Sequence, residues 1–387
     1  MNEHFMKAFF RSILLTLILI SGCKDPFTPA LPFEESNFLV VEGYIDVGED
    51  AVTTIKLSRT TQVKQGKVRP NYELGASVSI INDIGEIHSV IERGDGQYST
   101  DSLFLPLDRD YRLRIVTANE REYYSEFTKP LISPEIDSVY WQFEPYGVRI
   151  SVATHDPVGE TDYYQWDFEE VWETPSPFLS IYTVRNRQYV MRDYDEIQEM
   201  RTCWKKGFPT GLVLASSTSF VPNSLISKSL VFIPLSTEKL GEKYSILVRQ
   251  HALNQDAYDY LRIMEKNATQ VGSFFDPQPS QLSSNISSTD SNDPVVGYIG
   301  AYTTSKKRII IKEEDLPHWD FYIGCDVIGV TNHPDSIAKY HGFLGYVPVN
   351  FPPSTHDYMI ATNAFCVDCR LRGGKGGPAN KPDFWDE

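Results

Sequence analysis

The sequence predicts a mainly β protein of tandem antiparallel β-sandwich domains, with one amphipathic helix and a loop-rich C-terminal part. Three observations carry that reading. Short runs rich in Val, Ile, Tyr and Phe recur along the 387 residues, separated by Gly, Pro, Asp and Asn turn signals. Some alternate along the chain, as in Ala76-Ser77-Val78-Ser79-Ile80, which is the period of a half-buried strand. The 21 Phe, 22 Tyr and 6 Trp make up 13% of the chain, which is ring surface enough for a sizeable packed core and too much for a disordered protein.

Residues 1–22 have the pattern of a bacterial lipoprotein signal peptide. Lys7 and Arg11 give the positive start, and residues 13–20 form a short apolar run broken only by Thr16. Ile20-Ser21-Gly22-Cys23 follows, with small residues that let a peptidase approach the backbone and a thiol at Cys23 to carry the lipid. The run is too short to cross a bilayer about 30 Å thick as a helix. Several acyl chains on Cys23 would anchor the chain stably, where a single chain holds marginally. Removal of 1–22 takes away Glu3, Lys7 and Arg11 and leaves 34 basic and 51 acidic side chains, a net charge of −17. Lys24, not Asp, follows the cysteine, so the usual inner-membrane retention signal is absent and the outer membrane is the expected address. Residues 23–36 include Pro26, Pro29 and Pro32 and read as an extended tether.

The first sandwich is expected over 37–130. Its strands are predicted at 38–45, 52–57, 76–81, 87–91, 111–116 and 122–127, with turns at Gly48, Gly75, Gly85, Gly94-Asp95-Gly96 and Asp108-Arg109-Asp110. Pro130 and Ile132-Ser133-Pro134 mark a boundary. The second β-rich domain is expected over 134–311, with strands at 138–143, 148–153, 163–172, 181–190, 230–233, 244–250, 295–302 and 308–311. Asn254 reads as a helix N-cap, and Ala257, Tyr260, Leu261 and Met264 share one face of a helix over 255–267 that would pack on the sandwich. Residues 273–295 are rich in Ser, Pro, Asn and Asp, a long loop. The segment 312–387 is expected to be loop-rich and packed on the second domain. Its Gly373-Gly374-Lys375-Gly376-Gly377 lacks the strand and helix that flank a phosphate-binding loop.

The acidic balance, 52 Asp+Glu against 36 Lys+Arg, argues against a nucleic-acid partner, which would need a basic face. With Cys23 lipidated, Cys203, Cys325, Cys366 and Cys369 remain as disulfide candidates, since an exported chain meets oxidising conditions. Four cysteines allow three connectivities: Cys366 with Cys369 and Cys203 with Cys325, or either of two that tie the C-terminal segment back through Cys203. Cys366-Val367-Asp368-Cys369 does not open a helix, as a thiol oxidoreductase motif would, and no second Cys pair or His pair stands at zinc-ligand spacing. Ser336 and Lys339 form S-x-x-K between His333 and His341, without the supporting motifs of an acylase. Trp141, Trp166, Trp172 and Trp204 offer either core packing or ring faces for sugars. No catalytic constellation, cofactor or metal is expected.

Cys23-Lys24-Asp25-Pro26-Phe27, Leu39-Val40-Val41-Glu42-Gly43 and Leu57-Ser58-Arg59-Thr60 open a set of landmarks. Phe275-Asp276-Pro277-Gln278-Pro279-Ser280-Gln281-Leu282-Ser283, Pro294-Val295-Val296-Gly297-Tyr298, the Cys366–Cys369 motif and Lys381-Pro382-Asp383-Phe384-Trp385 continue it. Together they resemble an uncharacterised family of Bacteroidetes lipoproteins, domain of unknown function 4249 (DUF4249). Ser284 departs from the glycine expected before Asn285. Separately, residues 70–128, with Asp95-Gly96-Gln97-Tyr98 and Tyr111-Arg112-Leu113-Arg114-Ile115, resemble the carboxypeptidase regulatory (transthyretin-like) sandwich, a likeness of fold that carries no activity. The family resemblance implies an outer-membrane lipoprotein, often encoded beside TonB-dependent receptors, with no catalytic residues to carry over. The expected function is therefore a non-enzymatic accessory or ligand-binding partner of a TonB-dependent transporter in nutrient uptake. The alternatives are a surface hydrolase acting on peptides or glycans, drawing on the 333–341 segment, and a structural envelope lipoprotein.

Overall fold

A computed structural model describes residues 37–60, 70–218, 226–235, 237–269, 283–291, 293–317, 323–372 and 380–386. The leader, Cys23, the Pro-rich tether, most of the first half of the 273–295 loop and the Gly373–Gly377 cluster lie outside the described residues. The chain is mainly β, as its patterning predicts.

In the first body, one continuous path of strands folds over on itself. The strand Ile87–Gly94 is the corner, pairing with Ser77–Asn82 on one side and Gln97–Ser99 on the other. Alternation decides what faces in. Along Tyr111–Val116, Tyr111, Leu113 and Ile115 are buried while Arg112, Arg114 and Val116 are only half-buried. Leu39, Val41, Ile45, Ile55, Leu57, Val78 and Ile80 complete the inner layer. Gly43 adopts φ +131° in the first strand, where a Cβ would lie 2.4 Å from the Thr54 carbonyl oxygen.

This body is completed by chain expected in the second domain. Ile286–Ser288 pairs antiparallel with Glu122–Ser125. Val295–Gly297 and Ala301–Tyr302 each pair in parallel with Leu39–Asp46. Ile286, Ile299 and Ala301 are buried in the first core. The expected second domain, 134–311, is corrected accordingly: 286–302 returns as a strap to the first body, and its strand at 295–302 is two short pieces. Ser284, at the strap's start, is hydrogen-bonded as a glycine could not be. Its hydroxyl donates to the Gly297 carbonyl at 2.8 Å and accepts from the Ile286 N–H at 3.1 Å.

The second body is a sandwich. Ile136–Glu144, Gly147–Thr154 and Ile226–Pro234 form one antiparallel sheet. The facing sheet runs in the order Thr202–Gly207, Tyr163–Pro175, Lys243–Leu253, Ser305–Lys312, with Val213–Ser216 on the other part of the long strand. Tyr164, Trp166 and Phe168 pack against Val148, Ile150 and Val152 between them. The helix Gln255–Thr269 follows, and the Ala257 N–H donates to Asn254 Oδ1 at 2.8 Å, the cap expected from sequence. Its Ala257 packs with Leu253, Leu214 and Tyr302, and with Tyr44 and Leu131 of the first body, so the helix seals the junction.

Two expectations change shape. The run 181–190 is a hairpin, Tyr182–Arg185 with Gln188–Met191. Its two-residue turn is Asn186-Arg187, both at positive φ without a glycine to signal it. The loop-rich segment 312–387 contains an antiparallel sheet of Val327–Thr331, Tyr358–Thr362 and Val347–Asn350, with short helical turns around it. It docks on the second body where the Phe178 N–H meets the Cys366 carbonyl at 3.0 Å and the Ile181 N–H meets the Val349 carbonyl at 2.9 Å.

Candidate functional site

All four cysteines among the described residues are bonded. Cys203 pairs with Cys369, and Cys325 pairs with Cys366. The tight Cys366–Cys369 bridge, one of the three connectivities open to the sequence, is not formed. Cys366 ends one helical turn and Cys369 opens the next, so the neighbouring cysteines serve different elements. Cys369 reaches the strand Thr202–Gly207, and Cys366 reaches the chain just before Val327–Thr331. The C-x-x-C is a double staple.

The S-x-x-K dyad is not assembled. Among the described residues no hydrogen bond joins Ser336 to Lys339, whose Nζ lies 5.3 Å over the Tyr340 ring. His341 uses both ring nitrogens elsewhere, Nε2 at 2.9 Å from the Tyr189 hydroxyl and Nδ1 at 2.6 Å from the Tyr346 carbonyl. Burial lowers its pKa, and the bond to Tyr346 partly offsets that. His333 caps the short helix Pro334–Ile337. No group of three metal-ligating side chains occurs among the described residues. Trp166 and Trp172 fill the second core and Trp141 packs on it. Trp204 lies partly exposed, its ring 6.5 Å from that of Trp385. Cys23 lies outside the described residues.

A titratable cluster stands at the junction of the two bodies. Fully buried His251 places Nε2 3.0 Å from Asp167 Oδ2, and Arg249 donates to Asp167 Oδ1 at 2.9 Å. Burial pushes the Asp167 carboxyl up, but His251 and Arg249 outweigh it and hold the group below its ordinary value. The Tyr44 ring, from the first body, sits 4.4 Å from His251. His251 is enclosed, Asp167 and Arg249 are partly exposed, and the contact of Tyr44 with His251 joins the two bodies here.

One open cavity among the described residues lies where the long strand Tyr163–Pro175 ends. Pro175 and Pro177 remove two N–H donors and stop the ladder, and the chain turns away through Phe178. The turn at Glu238–Leu240, the segment Ile323–Val327 and Arg372 form the other walls of a cavity of about 520 Å³. That is the size of a small-molecule site. The Arg372 guanidinium donates to the Thr174 carbonyl at 3.4 Å and to the Pro175 carbonyl, and lies 3.9 Å from Glu238. Burial lowers the Arg372 pKa, and Glu238 partly offsets this. Glu238 is also paired with Lys205. Glu173 accepts a hydrogen bond from Trp385 Nε1 at 3.1 Å. Partial burial, then the negative charges of Glu313 and Glu173, raise the Glu242 carboxyl at the rim. Cys325 brings one disulfide into the wall.

Sequence reasoning did not single out Glu173, Glu238, Glu242 or Arg372. The available signals were the Pro-Ser-Pro stop after the long strand and the arginines after the C-x-x-C. The three walls come from segments remote in sequence, brought together by hydrogen bonds of Arg372 to the long strand, by backbone bonds such as Phe178 to Cys366, and by the disulfides.

Residues 24–308 match the family described as "Domain of unknown function (DUF4249)". No curated protein matches the chain.

Proposed function

The chain belongs to the DUF4249 family, and from that premise we propose an outer-membrane lipoprotein that serves a TonB-dependent transporter as a non-enzymatic, ligand-binding accessory in nutrient uptake. The observation that carries the reading is Ile20-Ser21-Gly22-Cys23 behind a short apolar run, with Lys24 in place of a retention aspartate. Two disulfides suit a chain that folds outside the cytoplasm. The association of such lipoproteins with TonB-dependent receptors, implied by the family resemblance, supplies the partner.

The geometry supports a ligand-binding role. The tether would join at Asn37, where Arg59 Nη1 donates to the Asn37 carbonyl at 3.1 Å. The first strand, Leu39–Asp46, then runs roughly 25 Å before its far end meets the second body. There Tyr44 touches His251, and Asp46 accepts from Thr304. The tether therefore enters at the end of the first strand remote from the second body, and the cavity is carried on that second body. A lipid at Cys23 would leave the cavity clear of the bilayer.

The test is lipid labelling of the full chain in its native host. The wild type should incorporate palmitate and fractionate with the outer membrane. The variant Cys23→Ser should incorporate none and fractionate as a soluble species. Equal labelling, or unchanged membrane retention, would remove the anchor on which the proposal stands.

A further inference from the structure

We propose that the cavity between the end of the long strand and the disulfide-tied C-terminal segment binds organic cations, an ammonium or guanidinium group on an apolar body. The inference rests on the ligand-binding half of the function proposed above and is independent of the transporter.

The charge balance of the walls is the first ground. Three carboxylates, Glu173, Glu238 and Glu242, line the space against one cation, Arg372. Glu238 is already matched by Lys205 and Arg372. Arg372 in turn commits its Nη2 to the carbonyls of Thr174 and Pro175, while its buried Nε has no hydrogen-bond partner among the described residues. Glu173 has only the neutral Trp385 indole as a hydrogen-bond donor, and Glu242 has no ion-pair partner among the described residues. Two carboxylates thus face the cavity without a counter-cation. A charge in such a concave, partly dry space finds weaker screening than on an open surface.

The second ground is independent of charge. Thr174 lines the cavity, is only 1% exposed, and its hydroxyl has no hydrogen-bond partner among the described residues. A buried hydroxyl without a partner is costly, and a polar group of a ligand would supply one. The third ground is shape. Pro175, Pro177, Phe178, Ile323 and Val327 add an apolar share to the lining of the same cavity. A small inorganic ion would leave that share uncovered, whereas an amine with an apolar body would cover it and reach the carboxylates. The Cys325–Cys366 bond fixes the wall that carries Ile323 and Val327.

The test uses the mature-length chain with Cys23→Ser, both disulfides intact and no detergent. The probes are tryptamine, tryptophol and indole-3-propionate, which share an indole body and differ in charge. Ligand-observed NMR should rank them cation over neutral over anion, with tryptamine about tenfold tighter than indole-3-propionate. The double variant Glu173→Gln/Glu242→Gln should lose about tenfold in tryptamine affinity and leave tryptophol unchanged. Gln at position 173 still offers an oxygen to Trp385, and an unaltered melting temperature checks the fold. Should that variant fail to fold, the ranking of the three probes on the unsubstituted cavity decides alone. Equal or tighter binding of the anion would overturn the cation preference while leaving a ligand cavity. Failure of all three to bind would overturn the cavity as a site for such ligands, and with it the ligand-binding half of the proposed function.

Discussion

Cys203 and Cys369 are 166 residues apart in the chain and bonded in the fold, with their Cα atoms 5.7 Å apart. The bond ties the strand Thr202–Gly207 to the last helical turn before the Gly-rich segment. The second bond, Cys325–Cys366, closes a loop nested inside the first. Closing loops of these lengths constrains the unfolded chain by about 4–5 kcal/mol each in the loop-entropy model, less where loops nest. Thus one covalent bond, Cys203–Cys369, ties the C-terminal segment to the second body beside a small shared core of Met200, Val349 and Val367, while Cys325–Cys366 braces that segment internally.

The first prediction concerns that staple. Peptide mapping without reduction should recover Cys203–Cys369 and Cys325–Cys366 fragments, and a Cys366–Cys369 fragment would contradict the fold. Cys203→Ser/Cys369→Ser should lower unfolding stability by roughly 2–5 kcal/mol, read from the denaturant midpoint.

The strap makes a second prediction. Because 286–302 supplies strands to both edges of the first body and buries Ile286 and Ile299 there, residues 37–132 alone should fail to fold. Their amide spectrum should lack dispersion. Joining 283–303 to that fragment by a flexible linker should restore it. Within the full chain, Ile299→Ala should cost about 2–4 kcal/mol, since the side chain is fully buried.

Asp156 sets a pH dependence. Burial pushes its carboxyl up, but the N–H groups of Val158, Thr161 and Glu160 accepted by that carboxylate outweigh burial and hold the pKa below its ordinary value. A depressed folded pKa contributes stability that is present above the unfolded value, about 4, and is lost as pH falls through the folded value. Asp156→Asn should therefore cost about 2 kcal/mol at neutral pH. The gap between variant and wild-type melting temperatures should close as acidification carries the pH through the folded value.

The junction cluster gives a fourth. Asp167→Asn would leave Arg249 and fully buried His251 beside a neutral amide, and should cost about 1–3 kcal/mol, since Asp167 and Arg249 are partly exposed and so partly screened. By contrast, Arg262→Ala removes an ion pair with Asp259 whose arginine is 62% exposed, and should change stability by less than about 0.5 kcal/mol. Chemical denaturation of the two variants side by side checks both.

Local signals in the sequence carried the elements they control. The alternation at 111–116 and the Asn254 cap with its apolar helix face describe local chemistry, and both stand in the structure as read. What did not show was non-local or lacked its usual marker. Val295–Gly297 and Ala301–Tyr302 choose Leu39–Asp46 as a parallel partner more than 250 residues away, and no local pattern encodes that choice. The Asn186-Arg187 turn lacks the glycine that would have split 181–190 into a hairpin. The candidate cavity was illegible for the same reason as the strap: Glu173, Glu238 and Arg372 meet only through remote contacts and a disulfide whose pairing has three solutions on paper.

The most direct test of the central claim is a mild-detergent pull-down of the tagged chain from native membranes, with mass spectrometry of what accompanies it. The account predicts a TonB-dependent receptor in stoichiometric amount. Recovery of the intact protein alone would contradict it.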